Sequence, residues 1–144
     1  MEDERGKAVD RAVRALARRD HSSASLDAKL ERAGVSEEAR AEAIGRLEQA
    51  GYVDDARFAR DRAAHLAGKG YGDDWIRQDL DAQGVPAEAI EPALADLAPE
   101  EERAIDHAER LGGGLRAART LQRRGFSEGS LERLLAEDES GGVG

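Results

Sequence analysis

The stretch Ile76-Arg77-Gln78-Asp79-Leu80-Asp81-Ala82-Gln83-Gly84-Val85-Pro86 decides the fold, because its pattern, two apolar residues four apart and a glycine four further on followed by an apolar residue, occurs three times. Upstream, Leu26-x3-Leu30-x3-Gly34-Val35-Ser36 repeats it, and downstream Ala117-x3-Leu121-x3-Gly125-Phe126-Ser127 repeats it again, at offsets of 50 and 41 residues. Apolar residues four apart share one helical face. The glycine then supplies the left-handed residue that ends a helix, and the apolar residue after it packs back on the finished helix. Ser36 and Ser127 are suited to cap a following helix, and Pro86 suits its first turn, where the missing N–H costs nothing. Val85 and Phe126 are placed to staple against Ile90 and Leu131, whereas Arg40 takes the equivalent place in the first copy. Ten residues after each glycine comes Ile44, Leu94 or Leu135, so the second helix of each unit also has its apolar face.

A further helix precedes each pair. Val9, Val13 and Leu16 mark the first, Phe58, Ala59, Ala63 and Leu66 behind Asp54-Asp55 the second, and Ile105, Ala108 and Leu111 behind Pro99 the third. The spacing predicts helices over 7–19, 22–33, 36–50, 55–67, 73–83, 86–97, 100–111, 115–124 and 127–137, and no stretch alternates as a strand would. The fold class is therefore all-α. Tandem three-helix, helix-turn-helix-like repeats are expected over 7–53, 54–98 and 99–137, with a flexible amino terminus at 1–6 and a disordered tail at 138–144. Units of roughly 45 residues bury little surface alone, so they should lean on one another in an elongated, curved array. Gly68, Gly70 and Gly72, and Gly112-Gly113-Gly114, read as interhelical turns; Lys69 is followed by glycine, not Ser or Thr, so neither cluster is a phosphate loop.

Composition narrows the function classes. The 144-residue chain has no cysteine, which excludes disulfides, thiolate metal sites and cysteine nucleophiles, and fits a reducing cytoplasm. Aromatics are only 3%, so the cores must be built from Leu, Ile, Val and Ala. The start, Met1-Glu2-Asp3-Glu4-Arg5, has no apolar signal segment, and no run is long enough to span a bilayer; a soluble, cytoplasmic protein without membrane contact is expected. Asp54-Asp55 and Asp73-Asp74 sit at helix starts, where capping and the helix dipole account for them. His21, His65 and His107 lack a second histidine at i+4, so no metal is expected; His21 is placed to order the turn at Ser22. No Ser-His-Asp order or glycine-flanked nucleophile is present, and neither an enzyme nor a cofactor is expected.

The net charge of −9 opposes indiscriminate binding to bare phosphate, but the charge is uneven. Residues 51–98 hold five basic and ten acidic side chains, which puts DNA contact by the middle unit in doubt. Residues 11–19 hold Arg11, Arg14, Arg18 and Arg19 with no acid, and residues 110–127 hold Arg110, Arg116, Arg119, Arg123 and Arg124 with no acid. Arg11, Arg14 and Arg18 share a helical face. These two groups read either as contacts for an acidic protein surface or DNA phosphate, or as solvated helix faces. Tyr71 and Trp75, beside Lys69 and Arg77, read either as a base-stacking platform or as packing between units.

Ala15-Leu16-Ala17-Arg18-Arg19-Asp20-His21-Ser22, Leu26…Lys29-Leu30…Gly34, Gly51-Tyr52-Val53-Asp54-Asp55-Ala56-Arg57-Phe58-Ala59, Lys69-Gly70-Tyr71-Gly72…Ile76-Arg77-Gln78-Asp79-Leu80 and Arg123-Arg124-Gly125-Phe126-Ser127 follow one another in an order that resembles the RecX family of recombinase regulators, over about residues 8–137. The resemblance implies tandem three-helix repeats lodged in the groove of the RecA–single-stranded DNA filament. It further implies inhibition of DNA-dependent ATP hydrolysis, strand exchange and co-protease activity, in DNA repair and recombination, by a monomer that is not an enzyme. Single-stranded DNA would be met through the filament. Where the family usually continues with Pro or basic residues after the Lys69 motif, this chain has Asp73-Asp74-Trp75. The alternative, suggested by the Gly-apolar-Ser turns alone, is a helix-turn-helix DNA-binding protein. The partner-binding candidates are Arg11, Arg14, Arg18, Arg19, Lys69, Arg77, Arg116, Arg119, Arg123 and Arg124.

Overall fold

A computed structural model describes residues 2–141. Among them are nine helices and no strand: α1 (Glu2–Arg18), α2 (Ser23–Arg32), α3 (Glu37–Gln49), α4 (Asp55–Gly68), α5 (Asp73–Ala82), α6 (Ala87–Ala95), α7 (Glu100–Arg110), α8 (Gly114–Arg123) and α9 (Glu128–Gly141). They form three modules, α1–α3, α4–α6 and α7–α9, each packed chiefly within itself. Two ends differ from expectation. The flexible segment expected at 1–6 is helical from Glu2, because Ala8 buries against Ala39 and Ala43 and Arg5 pairs with Glu42 of α3 at 2.8 Å, anchoring the first turns. The expected disordered tail is helical through Gly141; Met1 and residues 142–144 lie outside the described residues.

The repeated turn closes in the same way each time. Val35, Val85 and Phe126 donate their backbone N–H to the carbonyls of Leu30, Leu80 and Leu121, each at 3.1 Å, with the intervening glycine at φ of 84°, 76° and 90°. This is the six-to-one closure that requires a left-handed residue. Val85 and Ile90 join one apolar cluster and Phe126 and Leu131 another, as the staple demands. In the first module Arg40 replaces the staple by donating to the Val35 carbonyl at 2.8 Å. Pro86 stands at the cap of α6, one residue before the first turn.

Among the described residues, no apolar cluster crosses from one module to the next. A globular chain of this mass would expose about 7,200 Å². This one exposes 9011 Å², as a row of small cores must.

The modules are joined instead by one polar device used twice. At the first joint the Ser23 N–H, at the start of α2, donates to Asp55 Oδ1 at the start of α4 (2.8 Å), and the Ser22 hydroxyl donates to the Gln83 carbonyl in the next module's turn (2.5 Å). At the second joint the Asp73 N–H, at the start of α5, donates to Glu100 Oε2 at the start of α7 (2.6 Å), and the Gly72 N–H donates to the Arg124 carbonyl (2.8 Å). Ser23 and Asp73, and Gln83 and Arg124, hold equivalent places in the repeat. A carboxylate from one module thus caps a helix of the module before it. The joints are close: a Cβ on Gly84 would collide with Ala24, and one on Gly125 would lie 2.5 Å from the Trp75 nitrogen.

Candidate partner-binding surface

The arginines singled out by the sequence divide into four settings. Arg11, Arg14 and Arg18 line a groove of about 190 Å³ between α1 and α2, with Lys29 opposite and Leu30 and Ala33 as apolar floor. All four cations are exposed and make no ion pair among the described residues, so their charge faces solvent. Lys29, exposed on α2 one residue before the buried Leu30, completes this group, although it is not among the candidates read from the sequence. Arg19 turns away from them. It lines the cleft between the first two modules with Asp20, Asp61, Arg62 and His65, a mixed-charge setting.

Arg116, Arg119 and Arg123 form a row along the exposed side of α8, the last donating to the Thr120 hydroxyl at 3.3 Å. Arg124 leaves this row: it is half-buried at the second joint, its carbonyl holds Gly72, and its guanidinium lies over Gly70. Lys69 is exposed at the C-cap of α4. Arg77 is already engaged. Its guanidinium grips both carboxylate oxygens of Glu91, at 3.0 and 3.1 Å, and Asp74 at 3.0 Å; the hydrogen bond raises the arginine above its ordinary value and holds Glu91 below the usual carboxylate range. Module 1 carries one free basic group and module 3 the other, so the fold does not merge them into one pocket.

Tyr71 and Trp75 stack on each other, with ring centroids 4.7 Å apart and an angle of 17° between planes. Tyr71 packs on the module 2 core, and the Trp75 backbone and Cβ abut Gly125 across the second joint, while Trp75 as a whole is 43% exposed.

The second joint holds residues the sequence did not reveal. Arg103 is buried, donates to Asp73 (2.8 Å) and the Ala98 carbonyl (3.0 Å), and sits 5.8 Å over the Phe126 ring. His107 Nε2 lies 3.0 Å from the Ala67 carbonyl. Burial pushes the Glu100 carboxyl up, but hydrogen bonds from the hydroxyls of Ser130 and Ser127 and the amides of Ser127 and Asp73 outweigh it and hold the group below its usual value. At the first joint His21 is buried. Desolvation, with Arg19 and Lys29 nearby, lowers its pKa, Asp20 opposing, and its Nδ1 meets the Ser25 hydroxyl at 2.9 Å while Nε2 has no partner. Among the described residues no group of three or more His, Cys, Asp or Glu is arranged to hold a metal, and no helix is long and apolar enough to cross a membrane.

This architecture of joined three-helix modules recurs in known proteins. Family models described as the first and second three-helix domains of RecX match residues 8–47 and 54–94. Their limits coincide with the first two modules. The chain belongs to the RecX family. Similar curated relatives are both named regulatory protein RecX: one from Stenotrophomonas maltophilia is 36% identical over 140 residues (90% of this chain, 86% of the relative), and one from Xanthomonas oryzae pv. oryzae is 38% identical over 133 residues (85% and 83%). A crystal structure of RecX from Lactobacillus salivarius shares the fold, with a TM-score of 0.82 at 19% identity over 96% of this chain and 99% of that one. A second, titled as the crystal structure of regulatory protein RecX, superposes with a TM-score of 0.79 at 23% identity, covering 92% of this chain and 73% of the other.

Proposed function

We propose that this protein binds the RecA–single-stranded DNA filament in the cytoplasm and inhibits its ATP hydrolysis, strand exchange and co-protease activity, so that it tempers recombination and repair. Membership of the RecX family over most of the chain carries this reading. The arrangement of charge supports it: one module in the row offers the free Arg11, Arg14, Arg18 and Lys29 and another offers Arg116, Arg119 and Arg123, while the middle module is acidic. Two separated basic patches on one linked body gain effective concentration for the second contact once the first is made, which suits a polymer that presents the same acidic feature repeatedly. A net charge of −9 keeps the same body off bare DNA.

The helix-turn-helix alternative is poorly supported. The helices that would enter a groove are α3, α6 and α9; α6 carries no Lys or Arg, and Arg40 and Arg46 of α3 are paired with Asp27 and Glu42. The test is to add the purified protein to preformed RecA filaments while following ATP hydrolysis and filament length. Inhibition and shortening at stoichiometric amounts are expected, and no change would overturn the reading. Reversing Arg11, Arg14 and Arg18 to Glu should weaken inhibition, with the deficit shrinking as salt is raised.

A further inference from the structure

The three modules close the groove between their second and third helices differently. In module 1, Asp27 of α2 reaches across to Arg40 of α3 at 2.9 Å. In module 2 the equivalent residue, Arg77 of α5, reaches across to Glu91 of α6. In module 3 the same position is Ala118, whose methyl spans nothing, although Glu132 stands where Glu91 does. The ionic roof is absent. Leu135 is consequently 38% exposed, against 7% for Ile44 and 8% for Leu94 at the equivalent positions. Leu115 replaces Asp74 and is 49% exposed, and a groove of about 340 Å³ opens between α8 and α9 with Leu115, Ala118, Leu131 and Leu135 as its floor.

This face is the one through which each earlier module receives the next. The start of α2 meets Gly84, the start of α5 meets Gly125, and each takes a carboxylate, Asp55 or Glu100, on its first free N–H. The start of α8 has no side-chain cap, and among the described residues no carboxylate reaches it. The walls of the groove are charged in opposite senses: Arg119 lines the α8 side, with Arg116 and Arg123 in the same exposed row beyond the groove, while Glu128 and Glu132 line the α9 side.

Resting on the reading above, we propose that the α8–α9 groove docks a segment of the recombinase in which an acidic residue stands beside an apolar one. The apolar side chain enters between Leu115 and Leu135, and the carboxylate meets the α8 N-terminus and arginine row, as Asp55 and Glu100 do within the chain. A phosphodiester strand brings no apolar side chain to fill the space between Leu115 and Leu135. A second copy brings the wrong opposing end: Glu4 aligns with Asp55 and Glu100, but α1 begins two residues earlier and Glu4 lies inside it.

Two variants test the groove. Leu115→Glu places a charge at an exposed position, and Ala118→Arg imports the roof of module 2 by reaching Glu132. Each should need about tenfold more protein for half-inhibition of filament ATP hydrolysis, the loss expected when an apolar anchor is removed. Thermal unfolding of Leu115→Glu should match the parent, so that weakened inhibition is not misread as unfolding. Because the chain has no cysteine, Gln122→Cys carries a single benzophenone on the groove wall. Irradiation on the filament should crosslink a recombinase peptide containing an acidic and an apolar neighbour. Undiminished inhibition by Leu115→Glu, or crosslinking to the DNA or to another copy of this chain, overturns the docking proposal and leaves the regulatory reading standing. Failure of the parent protein to inhibit overturns both.

Discussion

The joint between modules 1 and 2 and the joint between modules 2 and 3 place a carboxylate and a turn carbonyl at matching points, yet they are fastened to different degrees. The first relies on the Ser22 hydroxyl, the Asp55 carboxylate and a methyl contact from Ala24 to Gly84. The second adds Arg103 between Asp73 and Phe126, the His107 contact with the Ala67 carbonyl, and a Glu100 carboxylate that also gathers Ser127 and Ser130. The shared carboxylate–amide and carbonyl bonds set how modules meet, and the further side chains at the second joint set how firmly. Most rigidity should therefore reside between modules 2 and 3.

The widest break is expected from Gly125→Ala. A side chain there must occupy a left-handed φ and collide with the Trp75 backbone, so a loss of about 3 kcal/mol or more is expected in urea unfolding. Gly34→Ala meets the same φ but open space, and should lose about 1 kcal/mol. Equal losses would mean that the joint adds nothing to the turn. Next comes Arg103→Ala, expected to cost about 2–3 kcal/mol because Asp73 and the Ala98 carbonyl lose a charged donor. Trp75, the chain's single tryptophan, sits at this joint, and its emission should shift to the red. Ser22→Ala removes a helix cap and the donor to Gln83, for about 1.5 kcal/mol, and should leave Trp75 emission unchanged. A shift there would show that the two joints are coupled.

The smallest effect separates the joints by pH. His21 titrates in the folded chain below its ordinary 6.5, so the unfolded chain binds the proton first and stability falls as pH drops beneath that value. Glu100 is held below its ordinary 4.5; its contribution is complete above that pH and is lost as pH falls through the folded value. Melting temperature should thus begin to decline with acid while Trp75 emission stays constant, and emission should change only near the carboxylate range. His21→Gln should flatten the first part of the decline, and an unaltered slope would remove His21 from it.

The modules themselves were legible because their signals are local. Leu80, Gly84 and Val85 lie within six residues, and each turn can be read without knowledge of the rest. The basic face of α1 was legible for the same reason, since Arg11, Arg14 and Arg18 depend only on helical period. What escaped was long in sequence or carried by backbone. Ser23 and Asp55 are 32 residues apart, Asp73 and Glu100 are 27, and in both pairs the donor is a main-chain N–H that no composition reveals. Arg77 read as a free cation because Glu91, its partner, lies on the next helix; Arg124 read as part of a row because the turn that buries it belongs to a joint. The open groove on module 3 is visible only when Asp27, Arg77 and Ala118 are aligned against exposures that the fold alone supplies.

The twofold use of one joint has a geometric consequence. Repeating one joint turns the chain by a similar step each time, and here that step ties a main-chain group, the Ser23 or Asp73 amide and the Gln83 or Arg124 carbonyl, to a few partners: Asp55, Glu100, the Ser22 hydroxyl and the Gly72 amide. Surface residues other than these few can then change without altering the spacing on which they are displayed. Such a body resembles a short thread whose cut is held by four residues and whose finish is left to the rest.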